Sequence, residues 1–544
     1  MLYVPEQFSE DEIVKLRPYF TNLDRPVFAL TNLPEVVKGA LFARYSRSDK
    51  SLRRLFLDEF VGDLDLSGDL TVDASVGVRR AEQLYDRVFL EYGDDSVAQL
   101  GGVHLACEQA SNLLTKILER GRLMAYLEQS TRYIPYDSRL GGRYRYFRDP
   151  QICESRFGTR YVGEMDALFD AYRDMLPAMS EWARDRYPKE AGDSDFVYKQ
   201  TIKAKACDSV RGVLPAATIS NVGIYGTGQA FEALLLRLRA HPLPEANEYA
   251  QMMLDELRKV IPSFLSRLDR AERGGAWVAY LESTRAQTAA VVERIFGTER
   301  PEPAAEVTLL DWDPDGENKV LAAICYPHAA LPEHQLLEKV RRLGVDEKVA
   351  LLTAYVGERH NRRHRPGRAF ERTEYRFDVL GDYGAFRDLQ RHRMLTIEWQ
   401  TLTPRHGYEI PESVLEAGRQ DDFAAALERS ARLYEDLVDT FPVQAPYAVS
   451  LAYRLRYVMQ MNAREAMHLL ELRSSPQGHP SYRRIAQSMH DLIAEQAGHR
   501  AIAAAMRHVD HQTYELERLD SERAAEARRA AAARDDAHVH AHEA

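Results

Sequence analysis

Arg391-His392-Arg393-Met-Leu-Thr-Ile-Glu-Trp399-Gln-Thr401 echoes an earlier stretch of the same chain, Arg120-Gly121-Arg122-Leu-Met-Ala-Tyr-Leu-Glu128-Gln-Ser130-Thr-Arg132-Tyr133. Each is followed by an apolar-periodic segment ending in Leu-Arg: Gly228 to Arg239, which starts 228 − 120 = 108 residues on, and Asn462 to Arg473, which starts 462 − 391 = 71 residues on. A pattern written twice predicts two homologous domains, and 544 residues are enough for two cores. The copies differ in length. Their arginine starts lie 391 − 120 = 271 residues apart but their terminal arginines only 473 − 239 = 234, so the first copy carries 37 extra residues. The Tyr-, Arg-, Gly- and Asp-rich stretch Ile134 to Gly163 is the natural place for them, as a long loop or lid.

Working outward, three-to-four-residue apolar spacing predicts helices over Leu33–Phe42, Val76–Tyr92, Leu105–Leu118, Val162–Leu176 and Glu248–Leu265. A connector follows, bounded by Gly274-Gly275 and by the Pro-rich Thr298 to Ala305, with one helix over Ala279–Phe296. Beyond it come strands Val307–Asp311 and Val320–Tyr326, then helices Pro332–Leu343, Val345–Tyr355, Asp421–Thr440, Asn462–Arg473 and a long Tyr482–Met506. A short acidic helix is expected over Glu10–Leu16. The organisation is therefore a first domain over 1–270, a linker helix over 271–305, a second domain over 306–510 and a charged Ala-rich tail over 511–544. The fold class is α+β and helix-rich.

Hydrophobic residues make up 45% and charged residues 28%, as in ordinary globular proteins. No run of eighteen apolar residues and no signal pattern is present, which places the chain off the membrane and in the cytoplasm. Cys107, Cys153, Cys207 and Cys325 are scattered, with no C-x-x-C spacing, fitting a reducing compartment. A net charge of −11 argues against a general nucleic-acid footprint. The exception is Arg359 to Arg376, with seven arginines in eighteen residues, readable as a solvated loop or as a seat for a phosphate-bearing ligand. An RNA- or DNA-associated role for that segment is one rival function.

Several signals carry little. Gly226-Thr-Gly228 lacks the third glycine of a dinucleotide loop, and His360-x-x-x-His364 lacks the glutamate of a zincin. His538, His540 and His542 alternate in a tail without fixed geometry, so no metal site is expected. There is no P-loop and no G-x-S-x-G elbow.

The motif residues speak more clearly. On an extended segment Glu128, Ser130 and Arg132 would point the same way, as acceptor, hydroxyl and cation. With Arg120, Arg122, Arg211 before its Leu-Pro turn and Arg239, they suit a planar, phosphorylated anion, because guanidinium forks grip phosphates and carbonyl edges. Ion pairs at helix ends would explain any one of them. Asn462 reads equally as a helix N-cap and as a ligand contact. It lies eleven residues before Arg473, three turns or roughly 16 Å along one helix face.

This arrangement resembles the flavin-dependent thymidylate synthases, whose signature is Arg-His-Arg, a serine, then Asn-Glu-x-Ser-x-Arg-Tyr. The resemblance implies a small, mostly antiparallel sheet packed with long helices in each half. It implies FAD as cofactor, dUMP as substrate, and methylenetetrahydrofolate and NADPH as co-substrates. By position it assigns nucleotide binding to Arg120, Glu128, Ser130, Arg132 and Arg211, and ring ionisation to Arg239 and Arg473. Flavin binding falls to Arg391, His392, Arg393, Asn462, Arg464 and His468. Each copy departs from the signature in its own way. Gly121, Leu127, Gly228 and Leu234 replace flavin contacts in the first, whereas Trp399 and Thr401 replace nucleotide contacts in the second. Since family sites form between subunits of a homotetramer, the expectation is a homodimer imitating a tetramer, with a composite site. The rival is a degenerate member that binds nucleotide or flavin as a regulatory or interaction module.

Overall fold

The computed structural model describes residues 3–33, 35–59 and 101–514, with 516, 518, 519, 522–524, 526 and 527. The expected helix Val76–Tyr92 and the tail histidines lie outside the described residues. The chain forms two compact units, neither of them contiguous. The first comprises Met1–Tyr172, Leu214–Pro301 and Glu428–Val449; the second comprises Arg173–Val213, Glu302–Leu427 and Ser450–Ala544.

Each unit holds a four-stranded antiparallel sheet, and the strand order is the same in both. In the first, β1 (Val27–Leu30), β2 (Gly102–Ser111), β3 (Met124–Glu128) and β4 (Ile219–Thr227) run in the order β1-β2-β4-β3. In the second, β5 (Val307–Trp312), β6 (Glu374–Asp382), β7 (Thr396–Trp399) and β8 (Arg454–Asn462) run β5-β6-β8-β7. The fold is α+β, two copies of one topology. Alternation explains the sheet faces: Leu455, Tyr457, Met459 and Met461 of β8 are buried, as are Tyr375, Phe377 and Val379 of β6.

The two central strands of each sheet run straight into helices, and a side chain caps each junction. Ser111 accepts from Leu114 N at 3.0 Å to open α1 (Asn112–Leu118), and Thr227 accepts from Ala230 N at 3.3 Å to open α2 (Gly228–Arg239). Asp382 accepts from Ala385 N at 2.8 Å to open α3 (Tyr383–Leu389), and Asn462 accepts from Glu465 N at 2.9 Å to open α4 (Ala463–Arg473). Helix α5 (Pro480–Glu495) packs on β5 and β6.

The structure corrects several local expectations. Leu105–Leu118 is not one helix: β2 runs to Ser111, with a bulge between Cys107 and Ala110 and Gln109 at φ 57°, which breaks the alternation that marks a strand. Val320–Tyr326 is not a strand but part of helix Gly316–Cys325, a short apolar run whose period alone decides nothing. Tyr482–Met506 breaks after α5, where Gly498 takes φ 72°, and resumes as Arg500–Ala505. Glu248–Leu265 ends at Leu257, with Pro262 opening a 3₁₀ segment. The stretch from Ile134 is a packed segment rather than a lid: Tyr136, Tyr144, Tyr146 and Phe147 are all buried, and the helix Gly158–Arg186 already begins inside it. The acidic helix Glu10–Leu16 is present, closed by a Ser9–Glu12 capping box. All four cysteines are free thiols. No helix among the described residues is long and apolar enough to cross a membrane.

Candidate functional site

In the second unit the Arg391-His392-Arg393 motif begins two residues after α3 and faces α4. His392 is buried, with Nδ1 3.0 Å from Glu465 Oε1 and Nε2 receiving the Arg473 Nε hydrogen at 3.0 Å. A guanidinium can only donate, so Nε2 must be the bare nitrogen and Nδ1 must carry the proton given to Glu465. Arg473 thus fixes the tautomer of His392. Burial pushes the imidazole pKa down to about 4 and the Arg473 charge pushes the same way, outweighing the Glu465 hydrogen bond. The ring is therefore neutral near pH 7. Burial alone would raise Glu465, but hydrogen bonds from His392 and His468 outweigh it and hold the carboxyl at about 2. His468 Nδ1 stands 3.3 Å from the other Glu465 oxygen, and its ring lies 5.1 Å from that of His392.

Beside this relay one carboxylate gathers three arginines. Asp388 bonds Arg391 and lies 3.8 Å from both Arg473 and Arg211. Arg211, in the first-half segment, belongs to the second unit. It is buried and caps the helix Asp195–Val210, which places its guanidinium beside Gly384. Arg211 also interacts with the buried Asp382, and guanidiniums gathered in this way suit contacts with anionic groups. Arg393 is exposed. Arg464 turns to the Pro366 carbonyl and Glu371, and the Asn462 side chain is spent on its cap. Trp399, at the position of Glu128, packs its ring at a tilt against Phe386, centroids 5.3 Å apart, and Thr401 is exposed.

The first unit is built differently at the same places. Glu128 is buried and takes Lys116 at 3.0 Å, an ammonium it shares with Glu119. β3 stops at Glu128, and Ser130 Oγ accepts from Arg132 N at 3.2 Å, so a turn replaces the expected extended alternation. Arg132 is buried; Arg120 and Arg122 are exposed. Tyr126 donates to the Gly121 carbonyl at 3.1 Å, and a Cβ at position 121 would lie 2.6 Å from that hydroxyl. At Gly121 the space beside the backbone is thus taken by a tyrosine hydroxyl.

The caps also settle the register of the two Leu-Arg helices. Thr227 and Asn462 are equivalent, each pairing with the first residue of the neighbouring strand, so Arg473 (462 + 11) corresponds to Leu238 (227 + 11). Arg239 stands one residue further, about 100° around the helix. It reaches the Leu268 carbonyl at 3.1 Å and Asp269 at 3.7 Å. Arg237 instead approaches Gly121 and Tyr126. Sequence reasoning passed over Asp388, Glu465, Lys116 and Arg237. The i,i+3 spacings Asp388–Arg391 and Glu465–His468 were the available signal.

The basic segment Arg359–Arg376 has local partners. Arg359 forms a buried two-point ion pair with Glu471 at 2.6 Å, while Arg368, Arg372 and Arg376 meet Glu371, Glu333 and Asp311.

A model of the thymidylate synthase complementing protein family matches residues 47–263 and 308–498, one match in each half. The chain belongs to that family. It is 40% identical over 530 residues to a UPF0159 protein of Chlamydia muridarum (strain MoPn / Nigg), covering 96% of this chain and 99% of that one. A UPF0159 protein of Thermoplasma acidophilum is 31% identical, over 89% and 97% of the two chains. Among solved structures, the flavin dependent thymidylate synthase ThyX from Helicobacter pylori complexed with FAD and dUMP is 20% identical, covering 34% of this chain and 93% of its own, with a TM-score of 0.26. The UMP/dUMP methylase PolB from Streptomyces cacaoi bound with 5-Br dUMP is 18% identical, covering 38% and 97%, with a TM-score of 0.29.

Proposed function

We propose that this family member is an FAD-dependent methylase of dUMP, using methylenetetrahydrofolate and NADPH, and that its chemistry is centred on the second unit. The observation that carries the reading is the meeting of Arg211, Arg391 and Arg473 on Asp388 beside a histidine of fixed tautomer. Arg211 comes from the first half of the chain, so this site is composite within one unit.

The donor set suits the ligands in charge. Arg391, His392 and the exposed Arg393 would hold the anionic flavin nucleotide. FAD, reduced by NADPH, would supply the hydride that completes the methyl group at C5. Arg211 would grip the nucleotide, and Arg473 would oppose negative charge developing on the uracil ring, an effect magnified away from water. A neutral His392 adds no competing positive charge and keeps Arg473 aimed. Asp388 and Glu465 act as positioning residues for the arginines and for His392.

A second reading, a binder without turnover, is favoured by the Lys116–Glu128 pair and by Trp399, which close the glutamate position in both copies. The deciding experiment follows flavin absorbance of the protein after FAD addition, then NADPH oxidation with and without dUMP. The proposal expects flavin retention and dUMP-dependent oxidation that falls about hundredfold in Arg473→Gln with the fold intact. Retention of FAD with no response to dUMP selects the binder.

A further inference from the structure

Helix α5 presents Arg483, Gln487 and His490 at spacings of four and three, hence on one face. The chain after Arg500–Ala505 returns along that face. Gln487 Nε2 donates to the Asp510 carbonyl at 2.8 Å and Arg483 to the Gln512 carbonyl at 2.7 Å, while Asp510 N donates to Ser474 Oγ at 2.9 Å. His511 is thereby fixed from both sides. Its Nε2 lies 3.0 Å from His490 Nδ1, and Asp491 Oδ1 stands 3.8 and 3.9 Å from those two nitrogens.

The His490 tautomer follows from its other nitrogen. Nε2 is 3.1 Å from the Ala503 carbonyl, which can only accept, so Nε2 carries the proton and Nδ1 offers a lone pair. A backbone carbonyl holding the far nitrogen is how ligating histidines are oriented. Around a divalent ion with bonds near 2.0–2.1 Å, donor atoms sit about 3.4 Å apart in tetrahedral geometry. The observed triangle brackets that spacing, whereas Asp491 is beyond hydrogen-bond reach of either ring. Two imidazoles and one carboxylate suit a borderline transition cation, with water completing the shell.

We propose that His490, Asp491 and His511 form a divalent-cation site of the zinc class, which clasps the returning segment onto α5. The clasp lies upstream of Arg518, whose guanidinium meets Asp208 at 3.5 Å on the helix that Arg211 caps.

The test uses the full chain with His538, His540 and His542 replaced by alanine, since that tail could chelate on its own. Calorimetric titration with Zn2+ and visible absorption with Co2+ should show one cation per chain in a tetrahedral field, with a raised melting temperature. His511→Gln and His490→Gln, the former at a half-exposed site, should each weaken binding about tenfold or more, with metal-free melting unchanged for His511→Gln. No binding, or binding indifferent to both substitutions, overturns the proposal.

Discussion

At the scale of single residues the motif arginines and His392 were legible in the sequence, and what holds them was not. Spacing identified Arg391-His392-Arg393, but the acids that orient them, Asp388 and Glu465, look like ordinary helix-surface residues until α3 and α4 meet. The tautomer argument gives His392 a testable signature. Its folded pKa of about 4 lies below the usual 6.5, so between those values the unfolded chain binds more protons and stability falls as pH drops through the window. Glu465, also depressed, extends the loss from its usual range down towards pH 2. Holding His392 unprotonated thus costs the fold on the order of 3 kcal/mol by the time the pH has fallen to about 4, relative to neutral pH. Urea melts of wild type and His392→Gln at a series of pH values from 4 to 7 should show a steeper pH dependence for wild type. Parallel curves would mean that the ring is not held neutral.

At the scale of elements, the helices with clean apolar period were placed well, including Val345–Val356 and Ala276–Phe296. The misreading of Leu105–Leu118 has a plain cause: where a strand runs into a helix without a break, as Gly102–Ser111 does into Asn112–Leu118, one period blurs into the next. The pairing of Arg239 with Arg473 failed for a related reason, because matching Leu-Arg endings ignored the caps, and one residue turns a side chain by about 100°. The strand after α1 sets what fits at position 121 in the first copy. If Tyr126 fills that space, Gly121→Ala should cost about 1 kcal/mol or more from crowding, and Tyr126→Phe, which removes the hydroxyl, should recover most of it. A double-mutant cycle by thermal melting measures the coupling; additive costs would show that the tyrosine is not what closes position 121.

At the scale of the whole molecule, the doubling appears in the strand order of the two sheets but not in how the chain is partitioned. Two identical strand orders fit the doubled motif, yet residues 173–213 belong to the second unit and 428–449 to the first. No periodicity announces such an exchange, because it depends on tertiary contacts between distant segments. Within the first unit the borrowed segment is tied into the core. Ala217 N donates to the Tyr447 carbonyl at 3.0 Å and Ala216 N to that of Val449 at 2.8 Å, while the Tyr447 hydroxyl reaches Glu245 at 2.7 Å. Tyr447 is fully buried, and so is Glu245, whose carboxyl burial pushes up to about 7. A fragment ending at residue 301 would lose these partners, exposing Glu245 and the apolar faces that 428–449 covers. The complementary fragment would lose Arg211 and the helix that carries it. Each fragment expressed alone should therefore be poorly soluble, with a weak or absent cooperative melt, whereas co-expression should return a soluble complex with one copy of each. Size-exclusion chromatography and circular dichroism decide the matter. A first fragment that melts cooperatively by itself would mean that the exchanged segments decorate the two cores rather than complete them.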